Sequence, residues 1–263
     1  MHIVVCVKYV PDAAADRTFD PADNTVDRAN VAGVLSELDE HAIEAALSLV
    51  EAHGGEITAV TVGPSDAATA VKKALQMGAD RGVVVSDDAI HGSDAIATSL
   101  VLARAVTKIR ETSPVDLVLC GMASTDGGMS VVPAMLAERL GLPQVTFAAA
   151  VEVSDGTVRV RRDGETATET IEAPLPAVVS VTDQANEPRY PSFKGIMAAK
   201  KKPLETWSLA DLGIDAHEVG LSAAWSTVRS FERRPARQKG TVVTDDGDGG
   251  RALVAFLAEQ KFV

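Results

Sequence analysis

Aromatic residues make up only 4% of this 263-residue chain, and it holds just two cysteines. Two cysteines cannot staple a disulfide scaffold, and Cys6 and Cys120 each fall in an apolar, strand-like run where a thiol behaves as a small hydrophobe. No run of 18 apolar residues occurs, so no membrane-spanning helix is expected. The opening His2-Ile3-Val4-Val5-Cys6-Val7 is strand-like and carries no basic leader or cleavage site, which favours a cytoplasmic location. Positive charge is also short, with 25 basic against 37 acidic residues and a net charge of −12. A nucleic-acid partner would need a basic face raised against that field, and none is expected. Only residues 200–202 and 229–239 are locally basic.

Catalytic patterns are missing as well. The histidines at 2, 41, 53, 91 and 217 are scattered, with no His-x-x-x-His or Cys/His cluster at metal spacing, so no metal site is expected. No G-x-S-x-G elbow frames Ser124 or Ser130. Neither the dinucleotide fingerprint nor the P-loop is present, so dehydrogenase and kinase chemistry lack their parts. The chain is expected to contain no catalytic residue and not to be an enzyme.

What is there is alternation. Short β-branched runs at 3–7, 57–62, 82–85, 117–119 and 177–181 are separated by longer amphipathic stretches. Leu38, Ala42, Ala45, Ala46 and Leu49 line one helical face, and Ile96, Leu100, Ala103 and Val106 another. This predicts an α/β, Rossmann-like, doubly wound and mostly parallel sheet covered on both faces. Asp39, Ser65 and Ser93 are placed to cap helices, and Gly54-Gly55 and Gly78 to end them. Residues 151–160 alternate around Asp155-Gly156 and read as an inserted antiparallel hairpin, and a second hairpin is expected at 18–26. Asp163-Gly164 reads as a turn. Beyond residue 200 the composition changes, and the polar, glycine-rich 244–250 is a linker. Leu253, Val254, Phe256 and Leu257 then form an extended C-terminal arm that either folds back or needs another surface.

The run 115–120 leads directly into Gly121-Met122-Ala123-Ser124-Thr125-Asp126-Gly127-Gly128-Met129-Ser130 and then a helix. Glycines that let backbone approach an oxygen, ahead of free helix-start amides, suit a phosphate without any lysine. Such a site falls at the carboxyl end of the strands. The plain alternative is a set of turn glycines. His41, near the first helix start, reads as a packing residue.

Residues 186–202 form the second conspicuous segment. Pro188 and Pro191 restrict the backbone of Arg189 and Tyr190, Phe193, Ile196 and Met197 follow at near-helical spacing, and Lys200, Lys201 and Lys202 close the tract. It reads either as a docking device or as a proline-started surface helix whose Ile196 and Met197 pack inward and whose solvated lysines keep it soluble.

This tract, NEPRYPSFKGIMAAKKKP, together with Val5-Cys6-Val7-Lys8-Tyr9-Val10-Pro11, Asp39-Glu40-His41-Ala42-Ile43-Glu44, the run 74–82, the 121–130 loop and Pro176-Ala177-Val178-Val179, resembles the small (β) subunit of electron-transferring flavoproteins. The likeness spans about residues 1–215, and relatives of the nitrogen-fixation branch share most of it. It implies a heterodimer with an α subunit that carries most of the FAD contacts, while this chain holds a structural AMP. It implies AMP contacts at Cys6, at Ser36, Glu37, Leu38 and Asp39, at Val62, and at Gly121, Met122, Ala123, Ser124, Thr125, Asp126, Gly127, Gly128, Met129, Ser130, Val131 and Val132.

The chain departs from the family where many relatives have Asn-Pro-Phe in place of Ser36-Glu37-Leu38, and Gln-Ala in place of Met122-Ala123. Side-chain bonds from those Asn and Gln residues are therefore not expected here. The resemblance further implies that Arg189, Tyr190, Phe193, Ile196, Met197 and Lys200 grip partner flavin dehydrogenases of the acyl-CoA dehydrogenase type. Electrons would then pass toward a quinone oxidoreductase. Residues 1–200 would form the nucleotide-binding domain, with its recognition loop at 186–200, and residues 201–263 an arm on the α subunit. A second FAD in place of AMP, and an ATP-binding protein resembling universal stress proteins, are the alternatives.

Overall fold

The computed structural model describes residues 1–28, 30–236, 240 and 242–263. The chain divides into two compact units, Met1–Arg229 and Ser230–Val263. The expected division at residue 200 therefore falls inside the first unit. The basic run at 229–239 lies partly outside the described residues.

The first unit is built on seven strands, β1 (His2–Cys6), β4 (Glu56–Val62), β5 (Arg81–Val85), β6 (Leu117–Gly121), β7 (Gln144–Ala148), β11 (Ala177–Val181) and β12 (Leu204–Trp207). They are ordered β12-β5-β4-β1-β6-β11-β7, and every pairing is parallel. β2 (Tyr9–Pro11) and β3 (Gly33–Leu35) pair antiparallel beside it. The expected hairpin is realised with a third strand, as β8 (Ala150–Ser154), β9 (Thr157–Asp163) and β10 (Thr168–Pro174), with the Asp163-Gly164 turn closed by a Gly164 amide to the Ala167 carbonyl at 2.9 Å. The hairpin expected at 18–26 is present in short form, as an antiparallel Phe19–Val26 bridge flanked by the Asp20 amide to the Thr25 carbonyl at 2.8 Å and the Asp27 amide to the Thr18 carbonyl at 3.0 Å. β7 and β12 lie in stretches that show no clean period in the sequence.

Because successive side chains of a strand point to opposite faces, the parallel sheet carries two separate cores. Ile3, Val5, Leu117, Leu119 and Val179 pack under α1 (Glu37–His53) and α2 (Ala68–Met77). Val4, Cys6, Val118, Cys120 and Val178 pack under α3 (Ala95–Thr112) and α4 (Val132–Leu140). The first of the two predicted helical faces is borne out, since Ala42, Ala45, Ala46 and Leu49 are buried. On α3 the stripe is rotated: Ala103 and Val106 are buried, but Ile96 is exposed.

Helix boundaries follow local chemistry. Acidic Glu37, Asp39 and Glu40 occupy the first turn of α1, where free amides favour negative charge. Gly54 and Gly78 end α1 and α2 as expected. The expected caps need correction. Asp94, not Ser93, caps α3 by accepting from the Ala97 amide at 3.0 Å. Ser36 occupies the cap position of α1, while Asp39 lies inside that helix and is buried. Ser65 opens a 3₁₀ turn that precedes α2.

The tract after β11 is tied to α1 and α2. Asn186 Nδ2 donates to the His41 carbonyl at 2.9 Å, and the half-buried His41 ring holds the tract in turn, its Nδ1 3.1 Å from the Asn186 carbonyl oxygen. Arg189 forks onto Glu44 and Glu51, with Nε and Nη2 each 2.8 Å from a Glu44 oxygen. α5 (Phe193–Ala199) follows, capped by Ser192 and lying so close to α2 that a Cβ on Gly195 would sit 2.5 Å from the Gln76 carbonyl oxygen. A four-residue helix, α6 (Gly220–Ala223), closes the first unit's elements, and α7 (Gly249–Glu259) is the helix of the second. Leu253, Val254 and Phe256 on α7 are exposed. Among the described residues no helix is long and apolar enough to cross a membrane, and no group of three or more His, Cys, Asp or Glu side chains is placed to hold a metal ion.

Lys202 departs from the reading of a solvated lysine cluster. Its ammonium donates to the carbonyls of Leu75, Gly78 and Ala79 at 3.1, 3.0 and 2.6 Å, so all three protons are used at the carboxyl end of α2. Burial lowers its pKa, and the three carbonyls offset that penalty for the charge. Replacing Lys202 by Met leaves those carbonyls unpaired and should cost about 1–3 kcal/mol, read as a lower urea midpoint at unchanged slope.

Candidate functional site

The order of strands reverses direction between β1 and β6: the chain first builds outward through β4 and β5, then returns to the other side of β1. The connections leaving β1 and β6 therefore diverge to opposite faces, and a crevice opens at their carboxyl ends. It has a volume of about 330 Å³, at the small end of ligand pockets, which run from about 300 to 1,000 Å³.

Of the residues expected at a nucleotide, Cys6, Asp39, Val62, Gly121, Ala123, Ser124, Gly127, Met129, Ser130 and Val132 line it. Ser36, Glu37, Leu38, Met122, Thr125, Asp126, Gly128 and Val131 do not. Ser36 is fully buried behind the wall. Several lining residues escaped the sequence reading, among them Lys8, Arg28, Ser93, Asp94, Thr98, Leu102 and Ser226. Lys8 had a legible signal, because it stands two residues past the end of β1. Arg28 and Ser226 come from irregular segments, and no local pattern announces them.

The expectation of a phosphate loop without lysine is corrected by this geometry. Lys8 Nζ lies 2.8 Å from Asp126 Oδ1 and 3.4 Å from Ser124 Oγ. Arg28 Nη2 lies 2.5 Å from Asp126 Oδ2. The Asp126 side chain is only 1% exposed, while Lys8 and Arg28 retain 37% and 31% exposure. Burial pushes the Asp126 carboxyl up, but the two cations outweigh it and hold the pKa below the usual range. Opposite, Asp94 Oδ2 accepts from the Trp225 and Ser226 amides at 2.9 and 3.1 Å while its other oxygen caps α3.

The donor set fits a phosphorylated nucleotide. Two cations and the backbone of a glycine loop meet on one side, and Val62, Leu102, Met129 and Val132 supply apolar surface for a flat base. Ser93 and Thr98 add hydroxyls. Ser226 Oγ donates to Asp94 Oδ2 at 3.4 Å, but that oxygen already accepts from the Trp225 and Ser226 amides. Cys120 is buried beside Cys6, and its hydrogen bond to Cys6 together with burial raises its pKa, which keeps the thiol inert.

Tyr190 and Phe193 stand 92% and 82% exposed, with Ile196, Met197 and Lys200 also exposed. Arg189 instead faces its own domain, clamped by Glu44 and Glu51, and the two carboxylates raise its pKa still further. It fixes the segment that presents the aromatic pair.

Asp39 closes the floor of the crevice. Its Oδ2 accepts from the Lys8 amide at 2.8 Å, and a Cβ on Gly121 would lie 2.5 Å from its Oδ1. Burial drives its pKa from 3.8 up to about 7, opposed by the Lys8 and Gly121 amides. The folded chain thus keeps a proton here that the unfolded chain releases near pH 3.8, so this group's contribution falls as pH rises from about 4 to 7. Urea unfolding of Asp39→Asn should show that slope removed, with the wild type losing on the order of 2–4 kcal/mol more than the variant between pH 4 and pH 8.

Comparison with known proteins agrees with this layout. Residues 23–212 match the electron transfer flavoprotein domain. The chain is 45% identical over 267 residues to the electron transfer flavoprotein subunit beta of Mycobacterium tuberculosis, covering 100% of this chain and 99% of that protein. It is 37% identical to the caffeyl-CoA reductase-Etf complex subunit CarD of Acetobacterium woodii, over the full length of both. It is also 37% identical to protein FixA of Azorhizobium caulinodans, over 98% of this chain and 93% of that one. The chain belongs to the electron transfer flavoprotein family, and its full-length likeness is to the β subunits.

Proposed function

We propose that this chain is the AMP-holding, partner-recognising half of a heterodimeric electron carrier. Its α subunit bears the FAD, flavin dehydrogenases of the acyl-CoA dehydrogenase type reduce it, and a quinone oxidoreductase takes the electrons onward. The observation that carries the reading is the crevice at the β1–β6 switch point. Its paired Lys8 and Arg28 at the strand ends suit the phosphate of a mononucleotide. Family membership removes the ground for a stress-protein reading.

No residue of the chain is assigned bond chemistry. One-electron chemistry belongs to the flavin, and the protein supplies placement and electrostatics. Electron transfer needs only brief closeness, so one aromatic anchor with an otherwise loose contact allows docking and quick release. Phe193, raised on a short helix whose base is clamped by Arg189, is that anchor. The exposed apolar side of α7 is assigned to the α subunit.

Denaturing the purified heterodimer and identifying what it releases tests the nucleotide directly: one AMP and one FAD per pair are expected, and two flavins without AMP would replace the reading by the two-FAD one. Lys8→Met should lower AMP retention about tenfold while FAD content stays constant, measured after gel filtration. Phe193→Ala should reduce kcat/KM for reduction by the dehydrogenase about tenfold or more, with AMP and FAD content unchanged; an unaltered rate would remove the anchoring role.

A further inference from the structure

Beside the crevice runs a segment to which, apart from Arg28, the functional reading gives no task. The chain leaves the sheet region at β2 and returns at β3, and between them the described residues form no strand beyond the Phe19–Val26 bridge, which the Asp20–Thr25 and Asp27–Thr18 backbone bonds flank. A connection of this length is uncommon in a compact domain unless it carries a function.

Residues 12–28 are fastened on three sides of the crevice. On the glycine-loop side, Arg28 pairs with the Asp126 carboxylate and Arg17 Nη1 donates to the Asp126 carbonyl at 3.2 Å. Toward α3, Asp23 Oδ2 lies 2.7 Å from His91 Nε2, four residues before that helix begins. On the third side, Asn24 Nδ2 donates to the Val228 carbonyl at 3.2 Å, two residues past Ser226, itself a lining residue. Arg28 also lines the crevice, so the segment contributes to its wall.

We propose that residues 12–28 are a strap that lifts to let the nucleotide enter and leave, with buried Asp126 as its main latch and the Asp23–His91 and Asn24–Val228 contacts as outer latches. The proposal rests on the reading of the crevice as a nucleotide site. Local opening draws on segments with few buried contacts and exposed polar fastenings, which describes the outer latches. His91 is 61% exposed, and ion pairs at such positions are weak, so loosening either outer latch changes opening by only a few-fold. A strap that stays mostly shut with and without ligand speeds entry and exit by the same factor. A residue that merely touches the ligand alters the dissociation constant instead.

His91→Ala and Asn24→Gly act outside the crevice lining, and glycine accepts the left-handed backbone of position 24, φ 59°. The experiment uses the whole heterodimer, depleted of nucleotide and reloaded with a fluorescent AMP analogue. Association is followed by stopped flow and dissociation by chase with unlabelled AMP. The double variant should raise both rate constants about three- to tenfold, with Kd within twofold of wild type and an unchanged melting temperature. Unaltered rates would overturn the strap, as would a shifted Kd carried by one rate alone. Failure of the wild type to bind the analogue would overturn the nucleotide reading itself, an outcome distinct from normal binding with unaltered rates.

Discussion

The parallel pairing of β1 with β6, registered from Ile3–Leu117 to Cys6–Cys120, is the constraint on which the rest depends. Two parallel neighbours whose following segments depart toward opposite faces leave no backbone between their carboxyl ends, so the fold opens a crevice there before any ligand is considered. Asp39 and Gly121 then fix how deep it is. The absence of a side chain at 121 lets the start of α1 approach the end of β6, and the Asp39 carboxyl fills the gap against the Lys8 amide. A larger residue at either position would separate the two elements and widen the floor.

The nucleotide proposed at this crevice would be an anion in a chain of net charge −12. Long-range charge opposes a phosphate, but fields at a few ångströms are set by neighbours. Lys8 and Arg28 converge on one buried carboxylate, which holds them in place without long side-chain searches and leaves part of each exposed toward the crevice. Asp126 therefore acts on a ligand through the cations it positions. Its own charge also tempers their pull, which suits a ligand that is retained yet exchangeable.

Much of the fold was legible because parallel strands buried on both faces read as β-branched runs, and the five runs named in the sequence all became strands of the central sheet. β7 and β12 were missed because they are edge strands, covered less completely and written with Gln144, Thr146, Glu205 and Thr206. The glycine loop was legible from its composition, and seven of the residues expected at a nucleotide between 121 and 132 line the crevice, while Cys6, Asp39 and Val62 came from the family resemblance. Arg28 and Ser226 were not, since each reaches the site from an irregular segment distant in sequence, where no period or cap constrains the reading. Lys202 shows the converse error: a lysine in a basic cluster looks solvated, yet the carboxyl end of α2 claimed it.

The placement of the two functional regions on the sheet has its own consequence. The recognition tract is pinned to α1 and α2, over the core formed by Ile3, Val5, Leu117 and Leu119, whereas the apolar wall of the crevice belongs to the opposite core through Cys6, Leu102 and Cys120. A rigid, doubly covered sheet stands between them. Between the proposed contact at Phe193 and any residue that lines the crevice stand the Arg189 clamp on Glu44 and Glu51 and the packing of α5 on α2. α1 is the one element shared by both regions. It meets the tract at Glu44 in its middle and at Glu51 in its last turn, and the crevice in its first turn at Asp39, so only a movement of the whole helix would couple them. Burial of Ala42, Ile43, Ala46 and Leu47 opposes that movement, so the proposed docking contact and the proposed nucleotide site are mechanically separate.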